Sequence, residues 1–593
     1  MRSAILLHRV EDARHLLERG VPDADLLCTH SGIEVFLRER HGLDCPCLSR
    51  FVPPAELQGL SDRVSKAVDP ILDELDAAVS PALEKACGLR MRLFRPLYSY
   101  LGKYHYASYE LFRGILSQLH ADRGYDHILC YERSLDDFLA IRCRLTGLQD
   151  LLPEGVLLEK VEDGPPPGSA QGDRRVWRTL GALGAAGVLD RLWRRGHERL
   201  LALRHRAYRP GLPSALLSEP LYDLASLNEG IEGCNVAYWP AGAEFPIGVA
   251  APSGLLEAAA IPLPERVAAA EGDPVREAFV RDLREDFQRQ FAANLRPALA
   301  LRESLRNRPL SLGVWGNPPV GGPRALAFEF LRCAGIPVLG AQHGSMYGDM
   351  FVPWHFDSDF NRCDRYLSYG FDEADLGRLY PGRRSAARIV PVGKANLPVP
   401  RSGAVPVDIL FPLTNSISLF EGGMTRTLPH ELTERQLAIL RHLDGIPRLR
   451  ICAKPFPNAG PANCSVWEIL RGLRRVEVAQ GRTLMEFLQG HSPRIVVIEY
   501  PSTPVAEVLG LDAEVFMMGD PLIRYDAQAL GLLRKRVHYF EETAPLLDAL
   551  DAFLRGDLAP LRDDGYYRRY VSSGGTERKI RGSIDEMIHP HAR

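Results

Sequence analysis

Four short stretches combine residue types that can handle a phosphate ester or a hydroxyl proton. The first is Glu499-Tyr500-Pro501-Ser502-Thr503-Pro504-Val505-Ala506-Glu507, which comes after the apolar run at 494–498. Pro501 and Pro504 fix φ around two hydroxyls. Ser502 or Thr503 is the natural N-cap of the next helix, with Pro504 where a first helical residue tolerates it. Free N–H groups beside hydroxyls suit a phosphate or diphosphate, and an ordinary N-cap without a ligand is the plainer alternative. The second is Ala341-Gln342-His343-Gly344-Ser345-Met346-Tyr347-Gly348-Asp349. A neutral His at a strand's carboxyl end can take a proton from a hydroxyl near pH 7, and the two glycines let the loop turn tightly near a ligand. A hydrogen-bonded structural His is the alternative. Gln342 and Tyr347 read as acceptor contacts, and Asp349 is grouped with His343 as catalytic.

The third is Cys452-Ala453-Lys454-Pro455-Phe456-Pro457-Asn458, where Lys454 projects from a strand end as a mobile cation for a phosphate, or stands as a surface lysine beside a turn. The fourth pairs Gly519-Asp520-Pro521 with Phe411-Pro412-Leu413-Thr414-Asn415; either supplies polar contacts to a nucleotide, Asn415 among them, or is a plain turn. Further strand ends carry Thr29-His30-Ser31, Tyr131-Glu132-Arg133-Ser134 and Trp315-Gly316-Asn317, of which Glu132 and Asn317 are taken as acceptor contacts. GxGxxG after a strand, GxxxxGK[ST] and GxSxG do not occur. No metal-ligand set or cofactor motif is recognisable, so protein donors are expected to stabilise any leaving group.

The elements that must position these residues can be read from length and pattern. With 593 residues the chain exceeds one hydrophobic core, so at least two lobes are expected. The net charge of -3 gives no whole-chain case for nucleic acid. Eleven scattered cysteines, only Cys45 and Cys47 close together, argue against a disulfide framework. The start, residues 1–7, runs into charged residues rather than a signal peptide, and no apolar run reaches the ~18 residues of a membrane span. A cytoplasmic protein is expected.

Strands are predicted at 4–7, 25–29, 127–131, 310–315, 338–342, 365–368, 388–392, 408–412, 448–453, 476–478, 494–498 and 514–517. Most are continuous apolar runs, as in parallel strands covered on both faces, and helices between them imply a doubly wound α/β architecture. Asp163-Gly-Pro-Pro-Pro-Gly-Ser-Ala-Gln-Gly-Asp173 reads as a linker into a helical insertion at about 165–300. Lys394-Ala-Asn-Leu-Pro-Val-Pro-Arg-Ser-Gly-Ala-Val-Pro406 reads as a joint. The expected plan is therefore an N-terminal Rossmann-like acceptor lobe at 1–395, a C-terminal donor-nucleotide lobe at 406–565 and a tail at 566–593, with a cleft between the lobes.

In order along the chain, Gln342-His343-Gly344, Tyr347-Gly348, Lys454-Pro455-x-Pro457 and Tyr500-Pro501-Ser502-Thr503 with Glu507 resemble a bacterial family of surface-carbohydrate transferases from O-antigen, capsule and flagellin-glycan gene clusters. The likeness is clearest over about 311–554. It implies a metal-independent glycosyltransferase of the GT-B type, with donor contacts at Lys454, Ser502, Thr503 and Glu507, joined here by Tyr500, and an acceptor or base role for His343. The implied partners are a nucleotide-sugar donor and a glycan or glycoprotein acceptor, without nucleic acid; peripheral association with the inner membrane belongs to the same expectation. Related sialyl- and Kdo-transferases carry a His-Pro pair for the donor phosphate where this chain has Phe456-Pro457; the resemblance implies a CMP-linked nonulosonate or Kdo-type donor, with either a different donor or Lys454 in the place of that His. Glycerol- and ribitol-phosphate polymer transferases are a neighbouring resemblance. A non-catalytic glycan-binding or assembly protein of the same fold is the third reading.

Overall fold

The computed structural model describes residues 2–57, 59–131, 151–161, 209–218, 227, 231–238, 261–305, 309–352, 355–415, 427–457, 459–460, 464–520, 522–572 and 574–589. Glu132, Arg133, Ser134, Asn458, Pro521, the linker at 163–173 and much of 165–300 lie outside them. The strands are β1 (Arg2–Leu7), β2 (Asp25–Cys28), β3 (Tyr125–Tyr131), β4 (Leu157–Val161), β5 (Ser214–Leu217), β6 (Asn235–Tyr238), β7 (Leu312–Trp315), β8 (Val338–Ala341), β9 (Arg365–Ser368), β10 (Arg388–Pro391), β11 (Val405–Pro412), β12 (Ile451–Lys454), β13 (Val476–Val478), β14 (His491–Ile498), β15 (Glu514–Met518) and β16 (His538–Phe540). They form three sheets, ordered β2-β1-β3-β4, β10-β9-β8-β7-β5-β6 and β13-β12-β11-β14-β15-β16. Every pairing between these strands is parallel. The protein is an α/β protein with doubly wound, Rossmann-like lobes, as the continuous apolar runs require.

Two compact units result. Unit 1 takes its described residues from Met1–Ser61, Tyr104–Val188 and Leu397–Gly565; unit 2 takes them from Asp62–Lys103, Leu189–Asn396 and Tyr566–Arg593. This differs from one N-terminal lobe over 1–395. The four-stranded sheet shares unit 1 with the β11–β16 sheet, where helix Ser31–His41 meets helix Pro429–Gly445. There Ser31 Oγ lies 2.6 Å from Thr433 Oγ1, and Arg50 bridges Glu34 at 2.7 Å and Glu434 at 2.5 Å. Strand periodicity says nothing about which sheet a strand joins, so packing decided it. Ser31 holds this junction, while the His30 ring, as N-cap of the same helix, accepts from Gly32 N at 3.0 Å.

The segment at 165–300 is not only helical. It ends in the long helix Pro274–Leu305, but β5 and β6 belong to the unit 2 sheet. Residues 566–593 are likewise more than a tail. Helices Gly565–Tyr570 and Thr576–Ile588 lie there, and Ile580 and Ile584 enter the core formed by β5, β7, β8 and β9. The ten described cysteines are free thiols. No helix among the described residues is long and apolar enough to cross a membrane.

Candidate functional site

In the β13-β12-β11-β14-β15-β16 sheet the chain moves outward from β11 on one side, then resumes with β14 on the other. Ligands of open α/β sheets bind beyond the carboxyl ends at such a reversal. The residues there are Thr414 and Asn415 after β11, Glu499 to Thr503 after β14, and Lys454 at the end of β12 in register with Pro412. Ile495, Val496 and Val497 are fully buried, so β14 is a rigid support for the Glu499-to-Thr503 loop.

Lys454 is buried, with Nζ donating to Pro455 O at 2.6 Å. Burial disfavours the ammonium and brings its pKa down to about 8, against the pull of Cys452, Glu486 and the buried Glu507. Glu499 has no solvent exposure. Its Oε1 accepts from Thr414 N at 2.6 Å and from Gln436 Nε2 at 2.9 Å, while Arg435 donates to its carbonyl at 2.7 Å. Burial raises the Glu499 pKa, and its Oε2 has no partner among the described residues. Tyr500 is buried, and half-buried Ser502 donates to Tyr500 O at 3.5 Å. Thr503 occupies the N-cap of helix Pro504–Val508 without making a capping bond. That helix has five residues, so the expected helix-terminus field gives way to the strand-end side chains as the dominant feature. Gly519 and Asp520 serve packing: a Cβ on Gly519 would lie 2.0 Å from the Tyr539 hydroxyl, and Asp520 accepts from Thr427 Oγ1. Phe456 is 47% exposed beside this edge.

The His343 loop belongs to unit 2 and comes directly after β8. The Tyr347 hydroxyl lies 2.7 Å from His343 Nε2 and 3.0 Å from Nδ1, and its ring stacks on His355 at 4.0 Å. Tyr347 thus fixes the orientation of a half-buried imidazole. Gln342 is committed to the loop itself, donating to Gly344 O at 2.6 Å and accepting from Tyr369 N at 2.7 Å. Through these bonds it positions the loop. Asp349 is buried and accepts from the Tyr566 hydroxyl, so its carboxylate fastens the helix that starts at 565. Gly348 is required by contact, since a Cβ there would lie 2.1 Å from Phe371. Met346 has φ 69°, a conformation uncommon for a side-chain-bearing residue, at the centre of this loop. Asn317, half-buried, lies just beyond the adjacent β7.

Gln342, His343, Tyr347 and Asp349 therefore share one loop in unit 2, with Asn317 after the neighbouring strand; Asn415, Lys454, Tyr500, Ser502, Thr503 and Glu507 gather on unit 1. Sequence reasoning missed Arg435 and Gln436, which reach Glu499 from helix Pro429–Gly445.

No family model matches the sequence, and no curated protein does. Solved structures do show a distant likeness. A glycosyltransferase from Rickettsia africae aligns at 10% identity over 64% of this chain and 100% of its own, with a TM-score of 0.36. UDP-GlcNAc 2-epimerase from Neisseria meningitidis, bound to UDP-GlcNAc, aligns at 9% identity over 63% and 99%, with a TM-score of 0.37. An O-GlcNAc transferase mutant from Thermobaculum terrenum aligns at 14% identity over 90% and 98%, with a TM-score of 0.33. Likeness at this distance carries no function across; the functional reading rests on the strand-end residues of the two units.

Proposed function

We propose that this chain is a glycosyltransferase that moves a sugar from a nucleotide donor to a glycan or protein-linked acceptor. The observation that carries the reading is the convergence of buried Lys454, Glu499 and Glu507 with Ser502 and Thr503 at the strand-order reversal of the β11–β16 sheet. In this reading the bond from the anomeric carbon to the donor phosphate breaks as the bond to the acceptor oxygen forms. The phosphate leaves with the nucleotide and is met by Lys454, Ser502 and Thr503, while Glu507, Tyr500 and Asn415 hold the nucleoside portion. His343 receives the acceptor proton, oriented by Tyr347, and Asn317 contacts the acceptor. Donors already in place at the leaving group supply the larger part of the rate effect. The finer reading is a CMP-activated nonulosonate or Kdo-type donor with a surface-glycan acceptor, and it rests on the motif resemblance alone.

The experiment is incubation of the full chain with a panel of nucleotide sugars and glycan acceptors, with products identified by mass spectrometry. Release of free nucleotide together with a glycosidic product is expected. A phosphodiester product from a CDP-alditol would replace this reading by alditol-phosphate transfer. No turnover and no nucleotide binding across the panel would replace it by a non-catalytic role.

A further inference from the structure

Glu499 leads into the loop that carries Ser502 and Thr503, and Gln436 meets it from helix Pro429–Gly445; both side chains are fully buried in unit 1. One edge of their contact is fully bonded. Gln436 Nε2 donates to Glu499 Oε1 and to Thr414 O, both at 2.9 Å, and Thr414 N donates to the same Oε1 at 2.6 Å. Thr414 O is a carbonyl and only accepts, so the Gln436 atom facing it is the amide nitrogen and the remaining one is the amide oxygen. The other edge is bare. Glu499 Oε2 and Gln436 Oε1 are both buried and have no hydrogen-bond partner among the described residues.

Two acceptors cannot satisfy one another, and a carboxylate with a bare oxygen in the interior carries the full desolvation cost of that oxygen. Arg435, the cation that acts on this carboxyl, donates at 2.7 Å to the Glu499 carbonyl instead, and its charge is shared with Asp520 and Glu431. The other titratable groups around Glu499 are its chain neighbour Tyr500 and Cys464, whose thiol burial pushes up to about 12. One proton on Glu499 Oε2 removes both deficits. A carboxamide that donates its N–H to the carbonyl oxygen of a carboxylic acid can accept the acid's O–H on its own oxygen, so neither atom stays bare. Burial raises the Glu499 pKa, in keeping with the protonated form, against the pull of Thr414, Gln436 and Arg435.

We infer that Glu499 is a neutral carboxylic acid paired at two points with the Gln436 amide, and that this pair positions the Glu499-to-Thr503 loop against the end of β11. Its consequence for transfer rests on the nucleotide-donor reading given above. The ends of β11 and β14 are tied together through Thr414, Glu499 and Gln436 without placing an anion beside the departing phosphate. Glu499 is a positioning residue, acting through the loop rather than on the nucleotide.

The test compares the full chain with Glu499→Gln, whose amide N–H takes the place of the acid O–H and keeps both edges of the pair. The infrared difference spectrum of the two proteins at pH 7 should contain the C=O band of a protonated carboxyl, since the other carboxyls cancel. Thermal unfolding gives a second readout. The folded state holds this proton more tightly than the unfolded chain, where Glu ionises near 4.5, so wild-type stability falls as pH rises above that value. The Tm of Glu499→Gln should therefore climb relative to wild type, by about 2 °C or more between pH 4.5 and pH 7. Gln436→Leu, which removes the pair without changing charge, should weaken binding of whichever of CMP, UDP, GDP and CDP the wild type takes, by about threefold or more. The inference is overturned by absence of the protonated band, by Tm curves that stay parallel, or by nucleotide affinity unmoved in Gln436→Leu. If none of the four nucleotides binds wild type while the band and the diverging Tm curves are present, the donor reading fails and the neutral acid stands.

Discussion

Replacing His343 with Ala is expected to slow sugar transfer by about 10²–10⁴-fold, the contribution of a positioned general base. The imidazole is half-buried, bonded to Tyr347 and placed where β8 ends, so its loss removes a proton acceptor without emptying a core position. The fall should appear in kcat, with donor affinity unchanged, because the donor residues sit on other elements. Tyr347→Phe keeps the ring stacked on His355 but frees the imidazole to turn, so a smaller loss in kcat is expected from it. Single-turnover rates for both variants check this. A loss below about tenfold for His343→Ala would take the residue out of the base role.

Lys454→Met is expected to weaken nucleotide binding by about 10–100-fold, the worth of one hydrogen bond to a charged group. The pH dependence has a definite sign. With its pKa lowered to about 8, Lys454 is an ammonium below that value and neutral above it, so affinity should fall as pH rises through about 8 in the wild type and stay flat in the Met variant. Stability runs the other way. The folded state holds this proton less tightly than the unfolded chain, so the charged lysine costs stability below about pH 8, and that cost fades as pH climbs toward the ordinary value of 10.5. Titrations at pH 7 and pH 9 with both proteins measure the affinity effect; parallel pH curves would contradict it.

The strands were legible because parallel strands buried on both faces must be continuous apolar runs, and each predicted run coincides with a strand give or take a few residues. The elements that escaped were short or disguised. Ser214-Ala215-Leu216-Leu217 and Asn235-Val236-Ala237-Tyr238 are four residues each, the first built of good helix formers, and pattern alone could not pull them from a helical segment. Edge strand β16 has three residues. At the site, side chains just beyond strand ends could be found by position. Arg435 and Gln436 could not, since on the helix they occupy they resemble any polar residues of an amphipathic face. The bond between Asp349 and Tyr566 crosses 217 positions and leaves no local trace, so its part in fastening the helix at 565 could not be read from the sequence.

In the proposed mechanism unit 1 holds the phosphate of a nucleotide at the strand ends of β11, β12 and β14. It is tested most directly by calorimetric titration of CMP, UDP, GDP and CDP into the full chain and into Ser502→Ala/Thr503→Ala. One of these nucleotides is expected to bind the wild type and to bind the double variant at least tenfold more weakly. Equal affinity for both proteins, or no binding of any of the four, would contradict it.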